Sequence, residues 1–289
     1  MQAIIRGSRS GLLAYRAIDV IAVVAALGHF ALIVAWLMFA DRFDWWQTLA
    51  AGLAYAYALS WSVNGLAHNF IHTRYFRSEA LNRAFSVVLS LIGASSQQLY
   101  AFGHGRHHLG NMDRPGADGA TLDPISIYRH GKSGQAESAW SYALKAMLRD
   151  RPVASCRALW SRNAVEGRWA ARELAAIAFF YAGAALCNWQ AVALLLPFYY
   201  VGRCLSALNG YYEHYRADPD TPIAWGVSSY HRLYNLLWFN NGYHAEHHFR
   251  PRLHWTQLPQ FHAEIADRQR RAGVRQIDRP HYLGFLVAP

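Results

Sequence analysis

VIAVVAALGHFALIVAWLMFA, residues 20–40, is a run of 21 residues that is apolar except for His29. An α-helix rises 1.5 Å per residue, so a run of this length spans the roughly 30 Å hydrocarbon core of a bilayer. The run is too long for the core of a signal peptide and has no obvious small-x-small cleavage motif, so it predicts a membrane span. The stretch DRFDWW, residues 41–46, ends the span with charges and tryptophans typical of a membrane interface.

Three further apolar runs follow the first one along the chain. Residues 48–66 lead back across the membrane and predict a helical hairpin with the first run. Residues 174–187 and 191–208 are separated only by the turn NWQ, residues 188–190, and predict a second hairpin. The predicted fold is therefore an all-α integral membrane protein with four transmembrane helices in two hairpins, at about 20–66 and 171–208.

The polar remainder of the chain predicts a cytoplasmic helical cap, formed by residues 67–170 and 209–289. Residues 85–102 begin apolar but end in the polar run SSQQ, so we expect an interfacial or partly buried helix that does not cross the bilayer. Surface helices are expected near 135–148 and 152–162. Because no repeat or linker interrupts the chain, a single domain over residues 1–289 is the simplest interpretation.

The distribution of lysine and arginine predicts the orientation in the membrane. The N-terminal segment contains Arg6, Arg9 and Arg16, and residues 67–173 and the C-terminal tail contain many more. The two hairpin turns contain a single basic residue, Arg42. Since basic loops remain in the cytoplasm, both termini and the cap are expected on the cytoplasmic side of the inner or plasma membrane.

The composition favours a membrane over the other partners of a basic protein. Hydrophobic residues make up 53% of the chain and charged residues 16%, against about 25% charged residues in an average soluble domain. The net charge of +10 is not concentrated in a lysine- or arginine-rich block, which argues against nucleic acid. The three cysteines form no CxxC pair, which excludes an iron–sulfur or rubredoxin site.

The histidines follow a pattern that indicates metal binding. Nine of the 15 histidines fall in one HxxxH box, two HxxHH boxes and the segment NGYYEHY. Residues three and four apart share a helix face, so each box predicts two or three imidazoles on one face. Neutral imidazole binds iron, zinc, copper or nickel, and the number of histidines fits two metals with four or five ligands each. The predicted ligands are His68, His72, His104, His107, His108, His214, His244, His247 and His248.

The predicted topology places all nine of these histidines at the same cytoplasmic face of the membrane. The remaining six histidines are not predicted to be metal ligands. His29, inside the first span, is interpreted as a polar packing contact. The other five are predicted to be surface or interfacial residues, with His231 and His254 able to support the last box; they are His130, His231, His254, His262 and His281.

The boxes HNFIH, HGRHH and HAEHH, in this order, resemble those of the membrane fatty-acid desaturase superfamily, which also contains alkane hydroxylases. NGYYEHY is similar to an additional ligand motif of the hydroxylase branch, and residues 240–259 to the desaturase ending. The resemblance covers roughly residues 45–265. It implies four membrane helices, a cytoplasmic cap with two irons, and the nine histidines as iron ligands. It also suggests a supporting role for Asn209, or for Asn240 or Asn241 in its place.

The resemblance implies an oxygen-dependent oxidoreductase that attacks an unactivated C–H bond of a lipid-like chain, either as a fatty-acyl desaturase or as a hydroxylase. Side chains alone cannot oxidise such a bond, whereas an iron pair with O2 as co-substrate can. The chain has no GxGxxG fingerprint, so we expect electrons from an external donor such as a ferredoxin or rubredoxin. The alternative is a membrane metal scaffold or transporter without redox catalysis.

Carboxylates are expected to support the ligands, because a metal-bound imidazole usually donates its second N–H to a carboxylate or carbonyl. Glu213 and Glu246 are the preferred candidates, since each is adjacent in sequence to a predicted ligand. The loop residues Asp113, Asp118 and Asp123 are the other candidates.

Overall fold

The computed structural model describes residues 11–287 and is mostly helical. Two-residue strands β1 and β2 pair in parallel, with Ser228 opposite Gln276. Arg6 and Arg9, which contribute to the predicted orientation, lie outside the described residues. The elements are α1 (Asp19–Phe39), α2 (Trp45–Trp61), a π-helix (Ser62–Ala67), α3 (His68–His72), α4 (Glu79–Gly93), α5 (Gln97–Gly110), α6 (Ala139–Ala146), α7 (Pro152–Arg162), α8 (Ala164–Tyr212), β1 (Ser228–Ser229), α9 (Arg232–Leu237), α10 (His244–Phe249), α11 (Leu258–Arg271) and β2 (Gln276–Ile277).

Two helices in the described part of the chain are long and apolar enough to cross a membrane. They are α1 with the turn that follows it, Asp19–Arg42, and α8. A third span results if α4 and α5 count as one bent element, although they meet at 87°. The run at 48–66 lies in α2 and the π-helix, which do not meet the same criterion. The structure therefore shows an integral membrane protein with two to three candidate spans, and the four-helix arrangement stays a prediction.

The bend between α4 and α5 explains where the polar run SSQQ lies. Ala94 adopts a left-handed φ of 43° and ends α4. The side chain of Ser96 donates to the buried carboxylate of Glu173 over 2.6 Å, and the Gln97 amide donates to the Ala67 carbonyl over 3.0 Å. The polar groups are thus satisfied inside the protein, which removes the cost of exposing them to lipid.

Helix α8 contains both apolar runs of the predicted second hairpin, and it breaks between them. Asn188 has non-helical dihedral angles, with φ −151° and ψ 78°. Its side chain accepts from the backbone N–H of Ala191 over 3.1 Å, as an N-cap does, and donates to Asp41 over 2.8 Å. The helix is therefore interrupted at Asn188, between the two apolar runs, and the hairpin itself stays a prediction.

The chain divides into two compact units. The first comprises residues up to 102 and residues 150–203, and the second comprises residues 103–149 and those from 204 onward. In the first unit, the indole N–H of Trp36 donates to the Ala191 carbonyl over 2.9 Å, which connects α1 to α8. In the second, Met112, Ile127, Tyr142 and Tyr211 form a buried apolar cluster. The single-domain interpretation stays a prediction.

Close packing of α2 against α8 leads to a stability prediction. A Cβ added at Gly202 would lie 2.8 Å from the Ala56 carbonyl oxygen, whereas one added at Gly183 has no neighbour within 4 Å. We expect Gly202→Val to lower the stability of the detergent-solubilised protein by about 1–3 kcal/mol through overpacking. Gly183→Val, in the same helix, is the matched control for helix propensity. Equal melting temperatures for the two variants would contradict the packing argument.

Candidate metal centre

The second histidine box lies at the end of α5, and its three imidazoles point in two directions. Successive residues on a helix are rotated by about 100°, so His107 and His108 diverge while His104 and His108 nearly align. The Nε2 atoms of His104 and His108 are 2.9 Å apart. Our expectation that each HxxHH box presents its three imidazoles on one helix face is therefore wrong: each box contributes to two groups.

The first group, which we call the four-histidine group, lies entirely within the second unit. It consists of His107, His214, His244 and His248, all buried, with one ring nitrogen of each within 4.8 Å of the others. Nε2 of His107 lies 3.2 Å from Nε2 of His248, and Nε2 of His244 lies 2.9 Å from Nε2 of His214. Helices α5, α8 and α10, and the turn after α8, thus bring together residues from both HxxHH boxes and NGYYEHY.

The other box histidines of the second unit form a second group. Nε2 of His108 lies 3.2 Å from Nε2 of His247, and His104 is the third member. In the first unit, His68 and His72 stand one turn apart on α3, with ring centroids 5.2 Å apart. The π-helix that precedes α3 is a feature often found at functional sites.

Asp123 holds the ring of His107. Its Oδ2 is 2.7 Å from Nδ1 of His107 and also accepts from the backbone N–H of Met112, and Asp123 has no exposed surface. Burial opposes ionisation of Asp123, but the His107 ring and backbone donors hold its pKa below the ordinary value. The ionised carboxylate keeps the proton on Nδ1, so Nε2 is left with a lone pair directed at the other imidazoles.

His214 and His248 are also suited to metal binding. Nδ1 of His214 donates to the Trp225 carbonyl over 3.1 Å, which again leaves Nε2 as an acceptor. Burial, reinforced by neighbouring histidines, lowers the pKa of both His214 and His248 well below the ordinary value. Both rings are therefore neutral, which is the form that binds a metal.

Glu213 lies in a fully buried polar network beside the four-histidine group. The side chains of Asn209 and Asn241 donate to its Oε1 over 2.7 and 2.6 Å, and burial raises the pKa of Glu213 to about 7. The hydroxyl of Tyr234 donates to Asn209 over 3.1 Å. Asn209 and Asn241 thus belong to this network, whereas Asn240 donates to the Trp255 carbonyl.

The other carboxylate candidates have different partners. Glu246 is buried and accepts hydrogen bonds from Ser228, Tyr230 and the ring of His262. Oε1 of Glu213 lies 3.9 Å from Nδ1 of His244. Asp113 accepts from the backbone N–H groups of Leu122 and Asp123, so it shapes the loop that presents Asp123. Asp118 accepts from Ala120 in an exposed turn. The preference for Glu213 and Glu246 over Asp123 is therefore wrong for His107.

Some of the histidines outside the boxes lie where the sequence predicts them, and others are buried contrary to the prediction. His29 shares a hydrogen bond with Ser62 in the first unit, which agrees with a packing contact, and His130 and His231 are exposed. His254 and His281 are buried, contrary to the surface prediction. His281 lies 3.2 Å from the Tyr234 hydroxyl and contacts the Val227 carbonyl. No spacing signal identifies it, because its partners are 47 and 54 residues away in sequence.

The Tyr234 hydroxyl leads to a second stability prediction. It contacts Asn209, Asn241 and His281, all of which are buried. Tyr234→Phe leaves these polar groups without a shared partner, so we expect a loss of about 1–3 kcal/mol in the free energy of unfolding. Tyr128→Phe is the control, because Tyr128 is half-buried in the same unit and its ring stacks under Arg114. A melting temperature that falls equally in both variants would show that the hydrogen bonds of the Tyr234 hydroxyl are not the cause of the lost stability.

The donor set fits metal ions. Two nitrogens bound to one metal at about 2.1 Å and at right angles are about 3.0 Å apart, close to the observed Nε2–Nε2 distances. Imidazole is a ligand of iron, zinc, copper and nickel. The outer nitrogens of His107 and His214 contact Asp123 and the Trp225 carbonyl, and their inner nitrogens converge on the other imidazoles, so the rings are arranged to receive a cation.

Fold and site together define a helical membrane metalloprotein with histidine groups able to hold metal ions. The fatty acid desaturase family matches residues 43–280, and the chain belongs to this family of di-iron oxidoreductases. A sphingolipid delta(4)-desaturase DES1-like protein of Oryza sativa subsp. japonica is 26% identical over 227 residues, which are 74% of this chain. The match spans 63% of that relative's length.

Proposed function

We propose that this protein is a di-iron desaturase or hydroxylase that acts on an unactivated C–H bond of a lipid's aliphatic chain. The observation that carries the proposal is the buried four-histidine group, in which one ring nitrogen of each imidazole lies within 4.8 Å of the others. With O2, two electrons and two protons, desaturation yields an alkene and two waters. The same reactants yield an alcohol and one water in hydroxylation.

We propose all nine box histidines as iron ligands. His107, His214, His244 and His248 bind one iron, and support comes from their mutual distances and burial. His104, His108 and His247 contribute to the second iron. For His68 and His72 the support is their HxxxH spacing and the family match over residues 43–280.

The bound iron pair supplies the oxidising power that amino-acid side chains lack. The chain's own residues bury and orient the histidine ligands and hold a proton at the outer ring nitrogen of two of them. Asp123 keeps the proton at Nδ1 of His107, and the Trp225 carbonyl does the same at Nδ1 of His214. Burial of the four rings excludes water, and it lowers the pKa of His214 and His248, which keeps these two rings neutral. These two contacts fix the direction of the Nε2 lone pairs of His107 and His214 before any metal binds.

We propose the topology of four transmembrane helices in two hairpins, with both termini and the cap on the cytoplasmic side of the inner or plasma membrane. Support comes from the apolar length of α1 and α8 and from the break at Asn188, whose side chain caps the helix that follows. The basic residues outside the hairpin turns support the orientation.

The substrate is proposed to be a lipid with a long aliphatic chain. The name of the rice relative refers to a sphingolipid, which makes sphingoid and fatty-acyl chains the first classes to test. Electrons are proposed to come from an external donor such as a ferredoxin or rubredoxin. The net charge of +10 suits an acidic donor, because complementary charge accelerates encounter.

Lipid analysis of a bacterial host that expresses the protein tests the function. We expect a species that has lost two hydrogens, or gained one oxygen, relative to a host lipid, and its absence when His107→Ala is expressed at the same level. His130→Ala, which changes an exposed histidine, is expected to retain the product. A purified protein that binds zinc but no iron after growth in iron-rich medium, and forms no product with any donor, would favour the scaffold or transporter alternative.

A further inference from the structure

A groove between α7 and the start of α8 has no role in the proposed chemistry. It encloses about 460 Å³ within the first unit. On α7 its lining residues recur at intervals of three and four, so they form one stripe along the helix. The lining includes Val153, Arg157, Trp160 and Ser161 from α7, and Ala171 and Leu174 from α8.

Gly167 brings the two helices together beside the groove. The Sγ atom of Cys156 lies 3.8 Å from the Gly167 carbonyl oxygen, and a Cβ added at Gly167 would collide with the backbone of Trp160. The groove is therefore part of the packing of α7 on α8. Val153 and Trp160 still expose 60% and 45% of their surface.

The rim of the groove is strongly basic. Residues 151–174 contain five arginines, all exposed, at positions 151, 157, 162, 168 and 172. The two acidic residues of this stretch have partners already. Glu166 forms a bidentate ion pair with Arg83 at 2.6 Å, and the buried Glu173 accepts from Ser96. Within residues 151–174, the fully exposed charged side chains are thus all arginines.

We propose that this groove binds an anionic phospholipid. The lipid phosphate lies on the Arg157 guanidinium, and one acyl chain lies along Val153, Trp160 and Leu174. A guanidinium pairs well with a phosphate because it offers two parallel N–H donors. The apolar lining selects a lipid over a free anion, and Leu174 continues directly into the apolar part of α8. An arginine-rich helix with exposed tryptophan and valine is typical of a membrane interface.

This site is separate from the histidine groups and does not depend on which metal or substrate they bind. Its residues belong to α7 and α8 between positions 153 and 174, and no box histidine lines it. The metal-free protein is therefore expected to bind the lipid as well as the metal-loaded protein does.

Native mass spectrometry of the delipidated protein in detergent tests the proposal. The probes are phosphatidylglycerol and phosphatidylcholine with identical acyl chains. We expect a saturable phosphatidylglycerol adduct that is at least tenfold weaker in Arg157→Gln, and equally weakened in Ala171→Phe, which fills the groove without changing charge. Arg271→Gln changes an exposed arginine on α11 and is expected to bind like the wild type.

Each other result overturns the proposal. Equal binding of both lipids would show that the lipid charge does not contribute to binding. Loss of phosphatidylglycerol binding in Arg157→Gln but not in a folded Ala171→Phe variant would show that the lipid does not lie in the groove. Competition by inorganic phosphate at millimolar concentration would identify a free-anion site instead. The melting temperature of each variant verifies folding, and Arg157→Gln is informative by itself because Arg157 is exposed.

Discussion

Replacing His248 with alanine is expected to abolish turnover and to remove at least one of the two irons. His248 is 3% exposed, and its Nε2 lies 3.2 Å from Nε2 of His107. Removal of the His248 imidazole leaves the other three imidazoles of the four-histidine group around a buried cavity. Losing a direct ligand weakens binding by more than the roughly 10- to 100-fold attributed to loss of an outer partner.

Metal analysis of the purified variant, together with product formation, measures this effect. His130→Ala is the matched control, because it removes an imidazole from an exposed position. The thermal unfolding of both metal-free proteins shows whether the variant is folded. A folded His248→Ala protein with the full iron content of the wild type would show that the four-histidine group does not bind iron.

Replacing Asp123 with asparagine is expected to lower iron affinity by about 10- to 100-fold while the ligands themselves stay in place. The carboxylate accepts from Nδ1 of His107 at 2.7 Å, with no exposed surface. An asparagine of the same shape places either an N–H donor or a neutral oxygen there. An asparagine N–H facing Nδ1 would force the His107 proton onto Nε2. A neutral asparagine oxygen would accept more weakly from Nδ1 and hold the ring less firmly, so in both cases Nε2 is a poorer ligand.

Competition with a chelator of known iron affinity measures the change, and Asp118→Asn is the control. Asp118 is an exposed carboxylate of the same loop, where it accepts from the backbone N–H of Ala120. A separate readout is the melting temperature of the metal-free protein, which distinguishes weak metal binding from a disordered loop. Unchanged iron affinity in Asp123→Asn would show that His107 does not bind metal through Nε2.

The sequence by itself determined the features that depend on local spacing. The apolar length of residues 20–40 predicts α1, because helix length is set by the rise per residue. The polar residues 188–190 separate the two apolar runs in sequence, and in the structure α8 is interrupted there, where Asn188 caps the helix that follows. The histidine spacing and the box order predict the metal chemistry and the family, and the match over residues 43–280 confirms the family.

The tertiary structure alone decided how the histidines are shared and what supports them. Adjacent histidines such as His107 and His108 diverge by about 100°, so they enter different groups once other helices supply partners on each side. Asp123 reaches His107 because Asp113 and backbone donors fold the loop between them, whereas Glu246, adjacent to a ligand in sequence, faces His262. His281 is buried by contacts 47 and 54 residues away. Local spacing fixes which side chains share a helix face, but only the packing of distant segments fixes what each face meets.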